Sequence, residues 1–243
     1  MPIVRLQKFV SECGLMSRRA AEKEITAGAF TVNGKTAALG DKVDTDCDTV
    51  LYKGKKIGGD SSHRLTYIML NKPVGYVTTM SDDEGRLTAA MLVADAGVRV
   101  YPVGRLDMYS EGLLLFTNDG ELANRVMHPS HEIAKKYVAV VTSRLDENSV
   151  AALEERIELD GYRLRPFEVR LIGYTKCGNA ESTELEFTLH EGRNREIRGI
   201  CAHHGLRLAS LRRISVGEIT LGSLESGKWR YLTEDEINYI KNV

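Results

Sequence analysis

The chain has 243 residues, of which 42% are hydrophobic and 28% are charged, and its formal net charge is −1. This is the composition of an ordinary globular protein, and the near-neutral charge gives no overall electrostatic reason to expect a polyanionic partner. No apolar run approaches the roughly 20 residues that cross a bilayer, which argues against a membrane protein.

The cysteines and the first residues bear on the compartment. The four cysteines are scattered and include no Cys-x-x-Cys pair, so neither a metal site nor a disulfide framework is expected. Isolated thiols are typical of a reducing cytosol. The first residues lack the apolar core of a signal peptide. We therefore expect a cytoplasmic protein without membrane partners.

Residues 1–59 are predicted to form a small separate unit of two helices followed by strands. Apolar residues recur at i, i+3, i+4 and i+7, which indicates one helix face, at Leu6, Phe9, Val10 and Cys13. Ser17 is placed to cap a second helix over 18–26. Asn33 and Gly34 predict a type I′ hairpin within 30–36, and 48–52 is a further predicted strand.

Basic residues on or near these two helices can face a phosphate backbone, namely Arg5, Lys8, Arg18 and Arg19. The small polar residues 58–64 that follow are typical of a flexible linker. We therefore place a first domain at 1–59, a linker at 60–65 and a second domain at 66–243.

Strands dominate the second domain. The predicted strands are 67–70, 98–103, 112–116, 136–141 and 184–190. Helices are predicted over 120–127, after Asp146, over 194–204 and after Thr233, where Glu236 completes a capping box. The fold class is therefore α+β, with a large, mainly antiparallel sheet.

The loop between two of these strands carries the sequence Gly104-Arg105-Leu106-Asp107. A carboxylate fixed in a short loop on a rigid scaffold is a common basis for a reactive site. Taken alone, Asp107 is better interpreted as a turn residue that binds its own backbone.

A second charged feature is the segment 190–213, which contains six arginines, two glutamates and no lysine. Arginines without lysines suit bidentate contacts with phosphate better than solubility alone would require. Composition alone leaves a solvated, salt-bridged surface open as the alternative.

Several segments in fixed order support a more specific interpretation. Residues 3 to about 50 resemble the RNA-binding module of ribosomal protein S4. Behind them come Leu70-Asn71-Lys72-Pro73, the 104–107 loop with Gly112-Leu113-Leu114-Leu115, and the segment 191–198, Glu-Gly-Arg-Asn-Arg-Glu-Ile-Arg. Together these segments resemble the RsuA/RluB family of RNA pseudouridine synthases over nearly the whole chain.

The resemblance implies roles for individual residues. Asp107 matches the family's catalytic aspartate, Tyr137 its active-site tyrosine, and Arg198 the arginine that pairs with that aspartate. Arg105 is expected to hold open the site from which a base has turned out, and Lys72 to line the pocket. Arg193 and Arg195 join the N-terminal basic residues as expected RNA contacts. No cofactor and no metal are implied.

The physical chemistry of the implied reaction suits these residue types. A uridine in structured RNA must leave its stack before an enzyme can reach its sugar carbon. A carboxylate can attack a sugar carbon or take up a proton, and the sequence leaves open which role Asp107 has. It must be ionised for either role, and Arg198 can supply the charge that keeps it so.

The implied function is the isomerisation of uridine to pseudouridine in ribosomal RNA, with the large-subunit RNA preferred over the small-subunit RNA. Naked RNA or a ribosomal assembly intermediate is the expected partner, and the enzyme is expected to be a monomer. Two alternatives remain at this stage. One is a non-catalytic RNA-binding ribosome-assembly factor that retains the fold, and the other is a hydrolase that uses Asp107 on a small molecule.

Two positions depart from the family pattern. Tyr109 stands where an acidic residue is frequent, and Gly199 stands where an arginine is frequent. Both changes bear on the expected RNA contacts and leave the class of reaction unchanged.

Without the resemblance, two of the site residues have simpler interpretations. Tyr137 would be an aromatic packed in a strand, and Arg198 would be an ion-pair partner of Glu191 or Glu196.

Overall fold

The computed structural model describes residues 3–58, 65–155, 157–177 and 180–243. Contacts between Cα atoms divide the chain into two compact units: Met1–Thr66 with Asn118–Gly120, and Tyr67–Thr117 with Glu121–Val243. Apart from Leu65, the predicted linker at 60–65 lies outside the described residues.

The first unit contains two helices and six short strands within the described residues. In chain order they are β1 (Ile3–Arg5), α1 (Leu6–Glu12), α2 (Arg18–Thr26), β2 (Phe30–Val32), β3 (Lys35–Thr36), β4 (Lys42–Asp44), β5 (Val50–Tyr52) and β6 (Lys55–Ile57). β1 pairs with β4, and the remaining strands form an antiparallel sheet in the order β3-β2-β5-β6.

Local sequence signals explain the elements of this unit. The Ser17 side chain accepts a hydrogen bond from the Ala20 amide and so caps α2, as predicted. Asn33 and Gly34 both have positive φ, 50° and 80°, which confirms the tight hairpin between β2 and β3. One face of each helix is buried against the strands, and this core contains Leu6, Val10, Ala21, Ile25, Phe30, Ala37, Val43 and Val50.

The second unit contains a large sheet with helices. In chain order its elements are β7 (Tyr67–Lys72), β8 (Tyr101–Val103), β9 (Glu111–Thr117), α3 (Gly120–Met127), β10 (Lys135–Val141), α4 (Glu147–Ala151), β11 (Glu158–Leu159), β12 (Tyr162–Arg163), β13 (Glu168–Cys177), β14 (Ala180–Leu189), α5 (Glu196–His203), β15 (Leu208–Val216), β16 (Ile219–Thr220), β17 (Trp229–Tyr231) and α6 (Glu234–Asn242). Short 3₁₀ turns lie at Ala89–Ala96, Pro129–His131 and Ala152–Glu154.

The strands of the sheet follow the order β13-β14-β10-β15-β9-β7-β17, with β8 paired to β9 and β16 to β15. Its pairs are antiparallel except for β9 and β15, which run parallel. The predicted α+β class with a mainly antiparallel sheet is therefore confirmed.

Both faces of this sheet are covered. Successive residues of a strand point to opposite faces, so Ile68 of β7 enters one core while Met69 enters the other. Helices α4 and α5 pack on the first core, and α3 and α6 pack on the second. The central strands are therefore buried on both sides and hold the loops at their ends firmly.

Several predicted boundaries differ from the structure. The strand predicted over 98–103 begins only at Tyr101. The helix predicted over 194–204 begins at Glu196, because Arg195 has a left-handed φ of 55° and the Glu196 side chain accepts a hydrogen bond from the Arg193 amide. The strand predicted over 48–52 begins at Val50. The capping box at Thr233 is confirmed.

Gly112 explains how β9 approaches β15. Its φ is 102°, and a Cβ at this position would collide with the backbone of Arg213 on the neighbouring strand. Only glycine allows the two backbones to lie this close.

Among the described residues, no helix has both the length and the apolar character that a bilayer crossing requires.

Candidate active site

Asp107 lies in the loop between β8 and β9, and contacts from neighbouring segments fix that loop. Gly104 leaves β8 with a positive φ of 77°. The Thr78 hydroxyl donates to the Leu106 carbonyl at 2.6 Å and accepts from the Leu106 amide at 3.2 Å. The Gly75 amide donates to the Met108 carbonyl at 2.7 Å. The backbone around Asp107 is therefore held from both sides.

Lys72, the last residue of β7, also holds this loop in place through hydrogen bonds. Its side chain is fully buried, and its ammonium donates to the carbonyls of Pro73 at 3.0 Å, Asp107 at 3.1 Å and Ser110 at 2.7 Å. Burial lowers the pKa of Lys72 to about 8, although the carboxylates of Asp107 and Glu111 oppose this shift. Lys72 was predicted to line the pocket, but its burial removes it from the lining, and it instead positions the loop that carries Asp107.

The Asp107 carboxylate receives several hydrogen bonds. Arg198 of α5 donates from Nε to Oδ2 at 3.0 Å and from Nη2 to Oδ1 at 3.3 Å. The Ser110 hydroxyl donates to Oδ2 at 2.9 Å, and the Tyr109 amide donates to Oδ1 at 2.8 Å. Arg198 therefore pairs with Asp107 rather than with Glu191 or Glu196, and Ser110 links the two because it accepts from Nη2 at 3.1 Å.

These contacts set the charge state of Asp107. Burial by itself would raise the pKa of this carboxyl group. The hydrogen bonds from Arg198 and Ser110, the positive charge of Arg198 and the Tyr109 amide outweigh burial, and the pKa of Asp107 lies below its usual value. Asp107 is therefore ionised at neutral pH, as either predicted role requires.

An open pocket of about 630 Å³ lies over Asp107. Of the predicted site residues, those that line it are Arg105, Asp107, Tyr137, Arg193 and Arg195. Arg198 and Lys72 lie behind the lining. The predicted catalytic set of Asp107, Tyr137 and Arg198 is thus gathered in one place.

The arginines of the pocket differ in their surroundings. Arg105 is exposed, and among the described residues it has no hydrogen bond or ion pair. The guanidinium carbon of Arg193 lies 3.3 Å from the centre of the Tyr162 ring, so this exposed side chain stacks on an aromatic face. Arg195 is also exposed, at the start of α5.

The structure adds pocket residues that the sequence interpretation did not single out. Ser110 is one of them. Its position three residues after Asp107 is the feature of the sequence from which a contact with that carboxylate could have been predicted. Three charged residues that the sequence interpretation had not placed in the pocket also line it, namely Lys135, Glu196 and Arg213, and all three are at least partly buried. Lys135 lies two residues before Tyr137 on β10, so strand alternation indicates that both share one face. Glu111, in contrast, lines a different cavity together with Arg212.

Glu196 is a buried carboxyl group, only 5% exposed. Burial raises the pKa of Glu196 to about 7; the Arg193 amide opposes this shift and nearby Glu191 adds to it. The folded protein therefore holds this proton more tightly than the unfolded chain does. Its contribution to stability is complete below the ordinary carboxyl pKa and is lost as the pH rises through about 7.

Replacing Glu196 with glutamine is expected to remove this pH dependence, because an amide does not ionise. The free energy of unfolding of the wild type should fall relative to Glu196→Gln between mildly acidic and mildly alkaline pH, by at most about 3 kcal/mol. Urea unfolding at several pH values measures the difference. Parallel pH profiles for the two proteins would contradict it.

Comparison with known proteins agrees with this geometry. The model of the RNA pseudouridylate synthase family matches residues 66–203, and that of the S4 domain matches residues 4–50. The chain belongs to the RNA pseudouridylate synthase family. It is an RNA pseudouridine synthase with an S4 domain, as the resemblance to the RsuA/RluB branch predicted, and it is therefore an isomerase.

Similar proteins cover nearly the whole chain. An uncharacterized RNA pseudouridine synthase of Aquifex aeolicus is 41% identical over 96% of the chain and 92% of its own length. The ribosomal large subunit pseudouridine synthase B of Bacillus subtilis is 36% identical over 98% and 95%. The dual-specificity RNA pseudouridine synthase RluF of Escherichia coli is 34% identical over 96% and 77%.

A solved structure described as a pseudouridylate synthase supports the same assignment. Its TM-score is 0.67 at 28% sequence identity, over 98% of this chain and 99% of that one. Membership of this enzyme family argues against both alternatives, the non-catalytic assembly factor and the hydrolase that acts on a small molecule.

Proposed function

We propose that this enzyme isomerises uridine to pseudouridine in ribosomal RNA, and that large-subunit RNA is preferred over small-subunit RNA. The name of the Bacillus subtilis relative supports the large subunit as substrate. The observation that carries the proposal is the ionised Asp107, held by Arg198 at the base of an open pocket that Tyr137 also lines.

The reaction uses these groups in order. The target uridine leaves its stack and enters the pocket, whose volume falls in the range of about 300–1,000 Å³ that small-molecule sites have. Asp107 attacks the nucleoside or accepts a proton from it, and the bond between C1′ and N1 breaks. The uracil then turns and C5 bonds to C1′, while the bond to Asp107 breaks or the proton that Asp107 accepted returns to the nucleoside. The C5 proton then leaves and N1 takes up a proton. Tyr137 offers a ring face to the base.

Arg105 is suited to fill the gap that the flipped-out uridine leaves in the RNA base stack. Unstacking a base costs a few kcal/mol, and a side chain that fills the gap offsets part of this cost. Arg105 is exposed at the pocket and is not engaged by another described residue. Its planar guanidinium can stack on the bases that remain.

The S4 domain supplies general RNA affinity in this proposal. Arg18 and Arg19 are exposed in the first turn of α2, and Arg5 is exposed just before α1. Lys8 forms an ion pair with Glu12 at 3.5 Å. Phosphate contacts of this kind position a protein on RNA, whereas contacts with bases specify the site.

Replacing both Arg18 and Arg19 with alanine is expected to weaken RNA binding. If each contacts one phosphate, the slope of log K against log salt should become shallower by about 1.5 units. Filter binding at several salt concentrations measures it. Lys55→Ala with Lys56→Ala removes the same charge from exposed positions on β6 and should have little effect. Equal losses in both double variants would contradict the assignment.

The domain boundaries remain part of the proposal: an S4 domain at 1–59, a linker at 60–65 and a catalytic domain at 66–243. The family matches at residues 4–50 and 66–203 are compatible with it. We also propose that the enzyme acts as a monomer in the cytoplasm, on naked RNA or on an assembly intermediate.

Release of tritium tests the proposed substrate, because a hydrogen at C5 of uridine is lost when C5 bonds to the sugar. Unmodified large-subunit and small-subunit RNA, each labelled at C5 of uridine, are incubated separately with the enzyme. The proposal predicts release from large-subunit RNA at a clearly higher rate. Release from neither RNA would contradict a ribosomal substrate, and release mainly from small-subunit RNA would reverse the preference.

A further inference from the structure

Two neighbouring lysines of β10 point in opposite directions. Lys136 forms an ion pair with Glu186 of β14 at 3.5 Å. Lys135 lies on the other face and lines the pocket together with Tyr137, which follows it by two residues. The residues opposite Lys135 on the two adjacent strands, Leu189 and Val216, also line the pocket. Lys135 is therefore built into the same wall as Tyr137.

The ammonium of Lys135 has donors to spare. It donates one hydrogen bond, to the Ile133 carbonyl at 3.0 Å, and within the described part of the chain it has no carboxylate at ion-pair distance. An ammonium carries three donors. Burial and the positive charge of Arg213 lower the pKa of Lys135 to about 8, and Glu196 opposes this shift. A partly buried cation of this kind gains most from a polar ligand in the pocket.

The reaction produces a ligand of the required character. When the bond between C1′ and N1 breaks, its electron pair stays with the uracil, and the negative charge spreads onto the O2 and O4 carbonyl oxygens. A cation that is already held in place beside the developing charge stabilises it better than mobile solvent does. Asp107 is itself anionic and cannot serve the leaving base in this way.

We propose that Lys135 is a further catalytic residue, which donates a hydrogen bond to a uracil carbonyl oxygen and stabilises the negative charge that develops on the departing base. No proton is transferred from the ammonium, and the negative charge on the uracil is lost when its electron pair forms the new bond between C5 and C1′. This inference rests on the proposed function. The proposed role of Lys135 differs from that of a phosphate contact. A phosphate contact would stabilise the bound RNA equally before, during and after the reaction, and so would change affinity and not rate.

Three variants separate these roles. Lys135→Met keeps the bulk of the side chain without its charge, Lys135→Arg keeps a charge, and Lys136→Met makes the same change one residue away on the opposite face. Single-turnover tritium release gives the rate of reaction, and filter binding gives the RNA affinity. Thermal unfolding checks that each variant is folded.

Lys135→Met is expected to lower the single-turnover rate by about 10²–10³-fold, as the loss of an oxyanion-stabilising donor does, with RNA affinity within about twofold of the wild type. Lys135→Arg should recover most of the rate, and Lys136→Met should react like the wild type. A Lys135→Met rate close to that of the wild type, an equal loss in Lys136→Met, or a loss confined to RNA affinity would overturn the inference.

The two proposals fail in distinguishable ways. If the wild type releases no tritium from either ribosomal RNA, the proposed substrate is wrong. If the wild type is active and Lys135→Met is equally active, the proposed function stands and only the assignment of Lys135 falls.

Discussion

Replacing Asp107 with asparagine is expected to abolish turnover, with a fall of at least about 10⁴-fold in the single-turnover rate. Asparagine has the same shape and can still accept the hydrogen bond from the Tyr109 amide. It has no negative charge with which to attack a carbon or take up a proton. RNA affinity should change little, because phosphate contacts elsewhere supply most of it.

A nearby carboxylate provides the matched control. Glu111 lies four residues after Asp107 but lines a different cavity, together with Arg212. Glu111→Gln makes the same chemical change and should leave the rate near that of the wild type. Single-turnover assays and binding measurements on both variants make the comparison. Substantial residual activity in Asp107→Asn, or a comparable loss in Glu111→Gln, would contradict the role of Asp107.

Replacing Arg198 with methionine is expected to lower the rate at neutral pH by about 10²–10³-fold and to shift activity to higher pH. Arg198 helps to hold the pKa of Asp107 below its usual value, whereas burial acts in the opposite direction. Without Arg198 the effect of burial is less opposed, so the pKa of Asp107 rises. A higher pH is then needed to ionise it.

The rate of Arg198→Met should therefore rise over a pH range in which the wild-type rate is constant. A pH–rate profile of both proteins measures this shift. Arg198→Lys should recover only part of the rate, because an ammonium lacks the planar fork that donates to both Asp107 and Ser110. Profiles of the same shape for wild type and Arg198→Met would show that Arg198 does not control the ionisation of Asp107.

Local signals carried much of the fold prediction. Ser17 caps α2, the Asn33-Gly34 pair turns the first hairpin, and Thr233 with Glu236 begins α6, each as predicted. These signals act over three or four residues, so the sequence contains their cause. The start of α5 was misplaced because Arg195 has a left-handed φ of 55° and the Glu196 side chain accepts a hydrogen bond from the Arg193 amide, and hydrophobic periodicity encodes neither of these local features.

The site was less accessible to sequence reasoning. Arg198 and Asp107 are 91 residues apart, so their pairing came from the resemblance to a family and not from spacing. Lys72 was expected at the pocket, but its burial beneath three carbonyl groups depends on how the loop folds back over β7. Strand alternation would have singled out Lys135, which lies two residues from Tyr137.

The most direct test of the account is to map pseudouridine in large-subunit RNA after reaction with the enzyme. Unmodified RNA is treated with wild type or with Asp107→Asn, then with a carbodiimide that marks pseudouridine, and the marked positions are found by primer extension. We expect a specific mark with the wild type and no mark with Asp107→Asn. The same mark with both proteins, or none with the wild type on RNA that it binds, would contradict the central claim that Asp107 isomerises uridine in this RNA.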